Sequence, residues 1–417
     1  IIIFESDFYG NLMKLLIKIF CFLLLFQAIL FSQAPYTILI SFDGFRHDYM
    51  DRGLTPNLWK VASNGVKALS LMPVYPSKTF PNHTSIITGM YPENHGIIAN
   101  TIYDPYFNET FKISDPVQVR NPRWYKGEAF WETAQRNGIT AASFFWPGSE
   151  VILDYRRPKY FKDYDHDYPY KSRVDGLIEW LSLPQKDRPR FLTIYFDATD
   201  SYGHKYGPNS DSVNHAISVL DGMAGYLMDK LKEINLLDST NLIFVSDHGM
   251  TEVSSDKYVN LEEILGDEKV DYWNWSTFCL IQPEKGRVEA VYNKLKANEE
   301  HYKVYRKSEV PDFYRFSNNP FFSELIVITD LGWEAGDSKA QKGFISWKAK
   351  GNHGYEKDAL DMHGYFVAMG PSFRKNYKTG TLRNIDIYPL LCEIFDIPVR
   401  NGIDGNGERI RFILKKY

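Results

Sequence analysis

The sequence predicts a doubly wound α/β protein: a mostly parallel sheet with helices on both faces, carrying a small α+β insertion. Three observations point there. Short apolar runs alternate with stretches of helical periodicity; several of those runs end in an aspartate or histidine; and one long stretch, 253–345, breaks the alternation. A chain of 417 residues can hold one large domain with insertions as readily as two domains.

The elements follow in order. Residues 1–34 read as upstream residues followed by a secretory signal peptide. Met13 opens a stretch with Lys14 and Lys18, an apolar run over 19–31 follows, and Ser32-Gln33-Ala34 forms a small-residue exit. The pattern predicts export to an extracellular or periplasmic compartment, with an uncleaved membrane anchor as the competing reading. Residues 35–417 form the main domain. Within it, 36–42 (YTILISF) is a first buried strand ending at Asp43-Gly44, 56–64 a helix with Pro56 at its start, and 66–72 a strand. A further helix spans 81–88 and stops at Gly89. Buried strands are expected at 141–146, 191–196, 241–246 and 364–369, and helices at 212–234 and 385–395. In the insertion, 278–281 and 325–329 read as strands and 288–297 as an amphipathic helix.

Composition narrows the function. Hydrophobic residues make up 44% and charged residues 24%, which suits a packed globular core. A formal charge of −4 argues against a general nucleic-acid binder, so no stable nucleic-acid partner is expected. Of three cysteines, Cys21 leaves with the signal; Cys279 and Cys392 are too few for a disulfide framework and lack zinc-type spacing. Cys392 sits in an apolar helical pattern and reads as a buried thiol. Asn82, Asn108 and Asn274 each open an N-x-S/T triplet.

Open α/β sheets build their sites beyond the carboxyl ends of the strands. Asp43, Asp197, Asp200 and Asp247-His248 all follow predicted strands and are expected to converge at one rim. Carboxylate and imidazole without thiolate suit zinc. Asp200 and His204 are four apart, so both face one ion if their segment turns helically. Gly249 permits a sharp exit after Asp247-His248, and the glycines flanking His353 leave room for an ion. Thr79 stands before a helix start, where exposed N–H groups favour a phosphate oxygen; on its own it reads as an ordinary helix cap.

Several segments together resemble the nucleotide pyrophosphatase/phosphodiesterase family, within the alkaline phosphatase superfamily. They are ILISFDGFR at 38–46, PSKTFPNHTSIITGMYPENHGIIANTIYD at 76–104, FFWPGSE at 144–150, DSYGHKYGP at 200–208, SDHGM at 246–250 and GNHGY at 351–355. The resemblance spans nearly all of 35–417 and implies an alkaline phosphatase-type fold with two zinc ions. Asp200, His204 and His353 would hold one ion; Asp43, Asp247 and His248 would hold the other. Thr79, bound to the second ion, would attack phosphorus in line and form a phospho-threonine intermediate, with the first ion on the leaving oxygen. Two such ions clamp the entering and leaving oxygens of a displacement. The Asn100 amide, with the Phe80 backbone N–H, would steady a nonbridging oxygen.

The resemblance also implies a small-molecule nucleotide or phosphodiester substrate. Phe80 and Tyr164 would sandwich a base, with Ile113, Trp146 and Glu150 lining the pocket; Ile113 and Trp146 are equally compatible with core packing. Glu150 stands where an aspartate is common, Glu356-Lys357 replace Asp-Asn, and no lysine is evident for the nucleotide's far side. Hydrolysis of lysophospholipids or sphingomyelin is the alternative within the family, and a non-catalytic zinc-binding ectodomain the alternative outside it. A sulfatase is excluded, since threonine cannot become formylglycine and His83 replaces the required arginine. A phosphomonoesterase needs a cationic clamp, for which Arg46 is the candidate.

Overall fold

The computed structural model describes residues 13–18, which are helical, and 35–417. The apolar run, the exit of the signal-like segment and Cys21 lie outside the described residues. No helix among the described residues is long and apolar enough to cross a membrane.

Eight strands form the main sheet: β1 (Tyr36–Phe42), β2 (Gly65–Ala68), β3 (Ala141–Phe144), β4 (Tyr160–Lys162), β5 (Phe191–Phe196), β6 (Thr240–Val245), β7 (Phe366–Met369) and β8 (Tyr377–Thr379). Their spatial order is β8-β2-β7-β6-β1-β5-β3-β4. Only β7 runs antiparallel to its neighbours, so the expected mostly parallel sheet is observed. Central β1 pairs in parallel with both β5 and β6; Ile40 lies between Ile194 and Phe244. The chain turns to opposite sides of β1 at this point, which is where doubly wound sheets open a crevice.

Helices cover both faces because the strands are buried on both. On one face α1 (Pro56–Ser63), α3 (Tyr170–Leu181) and α5 (Asp211–Glu233) bury Leu58, Val61, Leu177, Ile217 and Leu220 against Ile38, Ile40 and Phe42. On the other, α2 (Thr79–Thr88) and α7 (Ile387–Phe395) lie over an aromatic group in which Phe130 meets Phe191 and Tyr388 edge-on. Two further helices, α4 (Ala198–Tyr206) and α6 (Ser338–Trp347), border the functional rim.

Two local expectations change. The strand expected over 66–72 is interrupted: Leu69 is exposed, and Ser70 bonds His363 and Thr381, so Leu71–Met72 pairs separately with Leu382–Arg383. The helix expected from residue 81 starts at Thr79, with extended Lys78 before it. Pro81 thus occupies the first turn, where its missing N–H has no intrahelical partner to lose.

Within 253–345, strands Val270–Asn274, Phe278–Pro283, Leu325–Thr329 and Tyr302–Arg306 form an antiparallel sheet in that order. Strand alternation gives it two apolar faces. Phe278, Leu280, Ile326 and Ile328 pack with Tyr75, Ile97 and Ile98, beside the segment carrying Thr79. Cys279, Ile281, Leu325 and Val327 pack on Val291 and Leu295 of the helix Val288–Ala297. Cys279 and Cys392 are both buried free thiols. Asn82 is also buried, donating to the Pro76 and Lys78 carbonyls, so its triplet is no glycan acceptor in the folded chain.

His95 holds α2 from beneath. It accepts from the Ile97 N–H through Nδ1 and meets Ser85 through Nε2, fully buried and neutral. Burial pulls its imidazole down to about 3. A group depressed on folding gives stability that is complete above its unfolded value, near 6.5, and is lost as pH falls toward 3. We expect His95 to cost about 1.4 kcal/mol per pH unit over that window. Urea unfolding of wild type and His95→Gln between pH 7 and 5 checks this, through a shallower decline in the variant.

Candidate active site

The carboxyl ends of β1, β5 and β6 deliver Asp43, Asp197 and Ser246-Asp247-His248 to one rim. α4 begins directly after Asp197 and sets Asp200 and His204 one turn apart, as their spacing requires. The Gly351–Asn352 strand pairs with Thr251–Glu252 and brings His353 alongside.

Six sequence-selected ligand candidates come together. Asp200 Oδ1 lies 3.4 Å from His204 Nε2 and 3.5 Å from His353 Nε2. His248 Nε2 lies 3.0 Å from Asp247 Oδ2 and 3.4 Å from Asp43 Oδ1. His248 stands between the two groups, its ring stacked on His353 with centroids 3.5 Å apart. The ligand atoms of Asp200, His248 and His353 lie within 4.8 Å of one another, as do those of Asp43, His83 and Asp247.

The chemistry of these atoms calls for cations. Each histidine donates its Nδ1–H to a backbone carbonyl: His204 to Gly351, His248 to Gly249, His353 to Ser77. That places the proton on Nδ1 and turns each Nε2 inward. Facing them, Asp43 Oδ1, Asp200 Oδ1 and Asp247 Oδ2 are buried and have no hydrogen-bond partner. Such a convergence of acceptors fits metal ions and little else. The electrostatics agree. Burial, then the charges of Asp247 and Asp200, push Asp43 well above the usual carboxylate range. Burial opposes ionisation of Asp247, but the imidazoles of His248 and His83 outweigh it and hold this carboxyl well below its ordinary value. Burial and the neighbouring His248, Lys78 and His204 keep His353 neutral.

Thr79, the first residue of α2, has Oγ1 3.4 Å from His248 Nε2 and caps no helix through its side chain. Asn100 is beside it, but its Oδ1 accepts the Phe80 N–H at 3.0 Å. That backbone donor is therefore occupied; the bond aligns the amide and leaves Asn100 Nδ2 as the available donor. A cavity of about 280 Å³ opens from Asp43, Thr79 and Asp200 and is lined by Phe80, Ile113, Trp146, Glu150 and Tyr164. Ile113 is 42% exposed and no core residue, whereas Trp146 is 1% exposed and donates to the His83 carbonyl.

Two glycine expectations need correction. Gly249 has no left-handed backbone; its need is space, since a Cβ there would sit 2.1 Å from the Asp361 carbonyl. The room beside His353 is filled by protein: a Cβ on Gly354, whose φ is +111°, would meet Lys78 Cε at 2.2 Å. Arg46 is no phosphate clamp, being committed to Asp48, Asn209 and the Met250 carbonyl.

Several residues at the site gave no signal in the sequence reading. Tyr195 donates to Asp43 Oδ2 at 2.6 Å. His83 donates Nδ1–H to the Thr79 carbonyl, meets Ser41 through Nε2 and lies 3.3 Å from Asp247, thereby orienting that carboxylate. Arg120 pairs with Glu150 at 3.0 Å in the cavity wall. Only His83, within the 76–104 segment, was open to notice beforehand. Asp197, a strand-end acid, is tied to Arg173, Tyr170 and Ser201.

The chain thus combines a doubly wound α/β sheet with a helix-borne hydroxyl that faces clustered carboxylates and imidazoles. The type I phosphodiesterase / nucleotide pyrophosphatase profile matches residues 37–365, and the chain belongs to that family. It is 37% identical over 387 residues to human ectonucleotide pyrophosphatase/phosphodiesterase family member 1, covering 90% of this chain and 41% of that protein. It is 36% identical over 377 residues to bis(5'-adenosyl)-triphosphatase enpp4 of Xenopus laevis, covering 90% and 80%. Murine ectonucleotide pyrophosphatase/phosphodiesterase 5 superposes with a TM-score of 0.85 at 31% identity, covering 91% of this chain and all of that one. An inactive threonine-to-alanine form of that murine protein has been solved in complex with AMP, with the same TM-score. The chain spans less than half the length of the human, rat and mouse family member 1 proteins it matches.

Proposed function

We propose that the chain is a zinc-dependent phosphodiesterase that hydrolyses nucleotide phosphodiester or pyrophosphate bonds and releases nucleoside 5'-monophosphates. The observation that carries this reading is the convergence of Asp43, Asp200, Asp247, His204, His248 and His353, with three buried carboxylate oxygens that have no hydrogen-bond partner, opposite the Thr79 hydroxyl. Asp200, His204 and His353 would hold one zinc, and Asp43, Asp247 and His248 the other. Bound zinc supplies Lewis-acid polarisation, which lowers the pKa of a hydroxyl or water and stabilises charge on phosphate oxygens.

The chain's own residues do the rest. Thr79 Oγ forms a bond to phosphorus as the bond to the leaving oxygen breaks; the hydroxyl proton passes to solvent, and the leaving oxygen keeps the electron pair and takes a proton from solvent. A water then adds to phosphorus and gives up a proton as the bond between phosphorus and Thr79 Oγ breaks, Thr79 Oγ regains a proton, and the 5'-monophosphate departs. Asn100 Nδ2 donates to a nonbridging oxygen, and the N-terminus of α2 adds a favourable field. Phe80 and Tyr164 provide aromatic surface for a base in the adjoining cavity. The AMP complex of the murine relative and the bis(5'-adenosyl)-triphosphatase name of the Xenopus relative support a nucleotide substrate. The signal-like pattern at Met13 and the ecto- names of relatives support action outside the cytoplasm.

A hydrolysis panel of ATP, diadenosine triphosphate, a cyclic dinucleotide and lysophosphatidylcholine tests the assignment. We expect AMP release from at least one nucleotide, with kcat/KM at least tenfold above that for the lysolipid. The reverse preference would refute the nucleotide reading.

A further inference from the structure

His353 is aimed by a chain of hydrogen bonds that reaches into the 253–345 region. Its backbone N–H goes to Asn352 Oδ1 at 2.8 Å, and Lys78 Nζ lies 3.5 Å from the same oxygen. Asn352 Nδ2 in turn donates to Glu334 Oε1 and to Ser276 Oγ. Glu334 also accepts the Tyr355 hydroxyl at 3.2 Å and the Ser276 hydroxyl at 2.5 Å. It thus grips a residue on each side of His353-Gly354. Glu334, Asn352 and Tyr355 are all buried.

The two ends of this chain are anchored differently. Glu334 opens a strand, Glu334–Gly336, that pairs in parallel with Tyr258–Asn260, and Ala335 exchanges backbone hydrogen bonds with Ser276. On the other side, the Gly351–Asn352 strand has two ladder residues, and Gly354 follows with φ at +111°. So short a ladder beside a left-handed glycine leaves the direction of His353 to side-chain contacts.

The residue type at 334 matters. A carboxylate only accepts, so Asn352 must turn Nδ2 toward it, and Oδ1 then faces the His353 N–H. A glutamine would satisfy Asn352 in either sense and would hold it by a weaker, neutral bond. The three hydrogen-bond donors to Glu334 are neutral, and burying a carboxylate among them costs free energy that a neutral side chain avoids. We propose that Glu334 is a positioning residue: through Asn352 it sets the backbone of His353, and so the direction in which that imidazole meets a metal ion. The inference rests on the zinc reading above and gives the 253–345 region a part in holding the ion of Asp200, His204 and His353.

Zinc affinity, measured on metal-free protein by competition with a chelator, tests this without turnover. Partners behind metal-binding histidines typically carry about 10- to 100-fold in affinity. We expect Glu334→Gln to weaken one of two zinc ions at least about tenfold and leave the other within about threefold. The melting temperature of the metal-free variant should stay within about 3 °C of wild type. Asn352→Ala cuts the same chain without touching the carboxylate and should weaken the same ion. The double variant should lose no more than the worse single one, because the two residues act in series. Activity on a nitrophenyl nucleotide ester should fall at limiting zinc and return with excess zinc. Wild-type protein that binds no zinc would refute the metal reading itself, and this inference with it. Zinc binding unchanged by Glu334→Gln, additive losses in the double variant, equal weakening of both ions with a lower metal-free melting temperature, or activity that excess zinc does not restore would overturn the positioning role alone.

Discussion

Replacing Thr79 with alanine should lower turnover of a nitrophenyl nucleotide ester by on the order of 10⁴-fold or more, the scale seen when a nucleophile is removed. The fold should scarcely notice. Thr79 is partly exposed at the first position of α2, its hydroxyl satisfies no helix N–H, and alanine is acceptable there. We expect a stability change within about 1 kcal/mol. Thr79→Ser keeps the hydroxyl and should retain measurable turnover. Acid quenching during hydrolysis of a substrate labelled at phosphorus should trap label on wild-type protein and none on Thr79→Ala. Undiminished activity in the alanine variant would remove the covalent mechanism.

Stripping metal should abolish activity, and added zinc should restore it. The physical reason lies in the orphaned oxygens of Asp43, Asp200 and Asp247, which face one another and the Nε2 atoms of His248 and His353. A ligand present at a thousand times its dissociation constant stabilises the native state by about 4 kcal/mol, so chelation should lower Tm by at least about 5 °C. Asp43→Asn separates function from stability. It removes one of three like charges and a carboxyl that burial and its neighbours already push upward. The metal-free variant should therefore melt above metal-free wild type, while zinc-supported activity falls at least about 100-fold. Differential scanning calorimetry with and without chelator decides the first point and steady-state assays the second. A metal-free variant that melts below wild type would mean that Asp43 serves the fold rather than an ion.

Much of this was legible in the residues. β1 and β5 have the limits expected because both-face burial leaves an unbroken apolar run bounded by polar residues. The spacing of Asp200 and His204 suits one ion only if their segment turns helically, and the structure supplies that condition in Ala198–Tyr206. The start of α2 was misplaced by two residues because Pro81 reads as a helix opening, yet proline is tolerated anywhere in the first turn.

What the sequence determined by itself is the set of chemical groups and their local presentation: the order of strands and helices, the acids at strand ends, the hydroxyl at a helix start and the family's motifs. Only the tertiary structure decided how those groups are committed. It turned Arg46 and Asp197 into structural anchors, occupied the Phe80 N–H with Asn100, and brought Tyr195 and His83 behind Asp43 and Asp247. It also laid Trp347 against His204. The reason is physical. Helix and strand patterns are written in near-neighbour periodicity, whereas these partners lie outside it, Tyr195 with Asp43 and His83 with Asp247 more than a hundred positions apart, and their meeting depends on sheet order and packing.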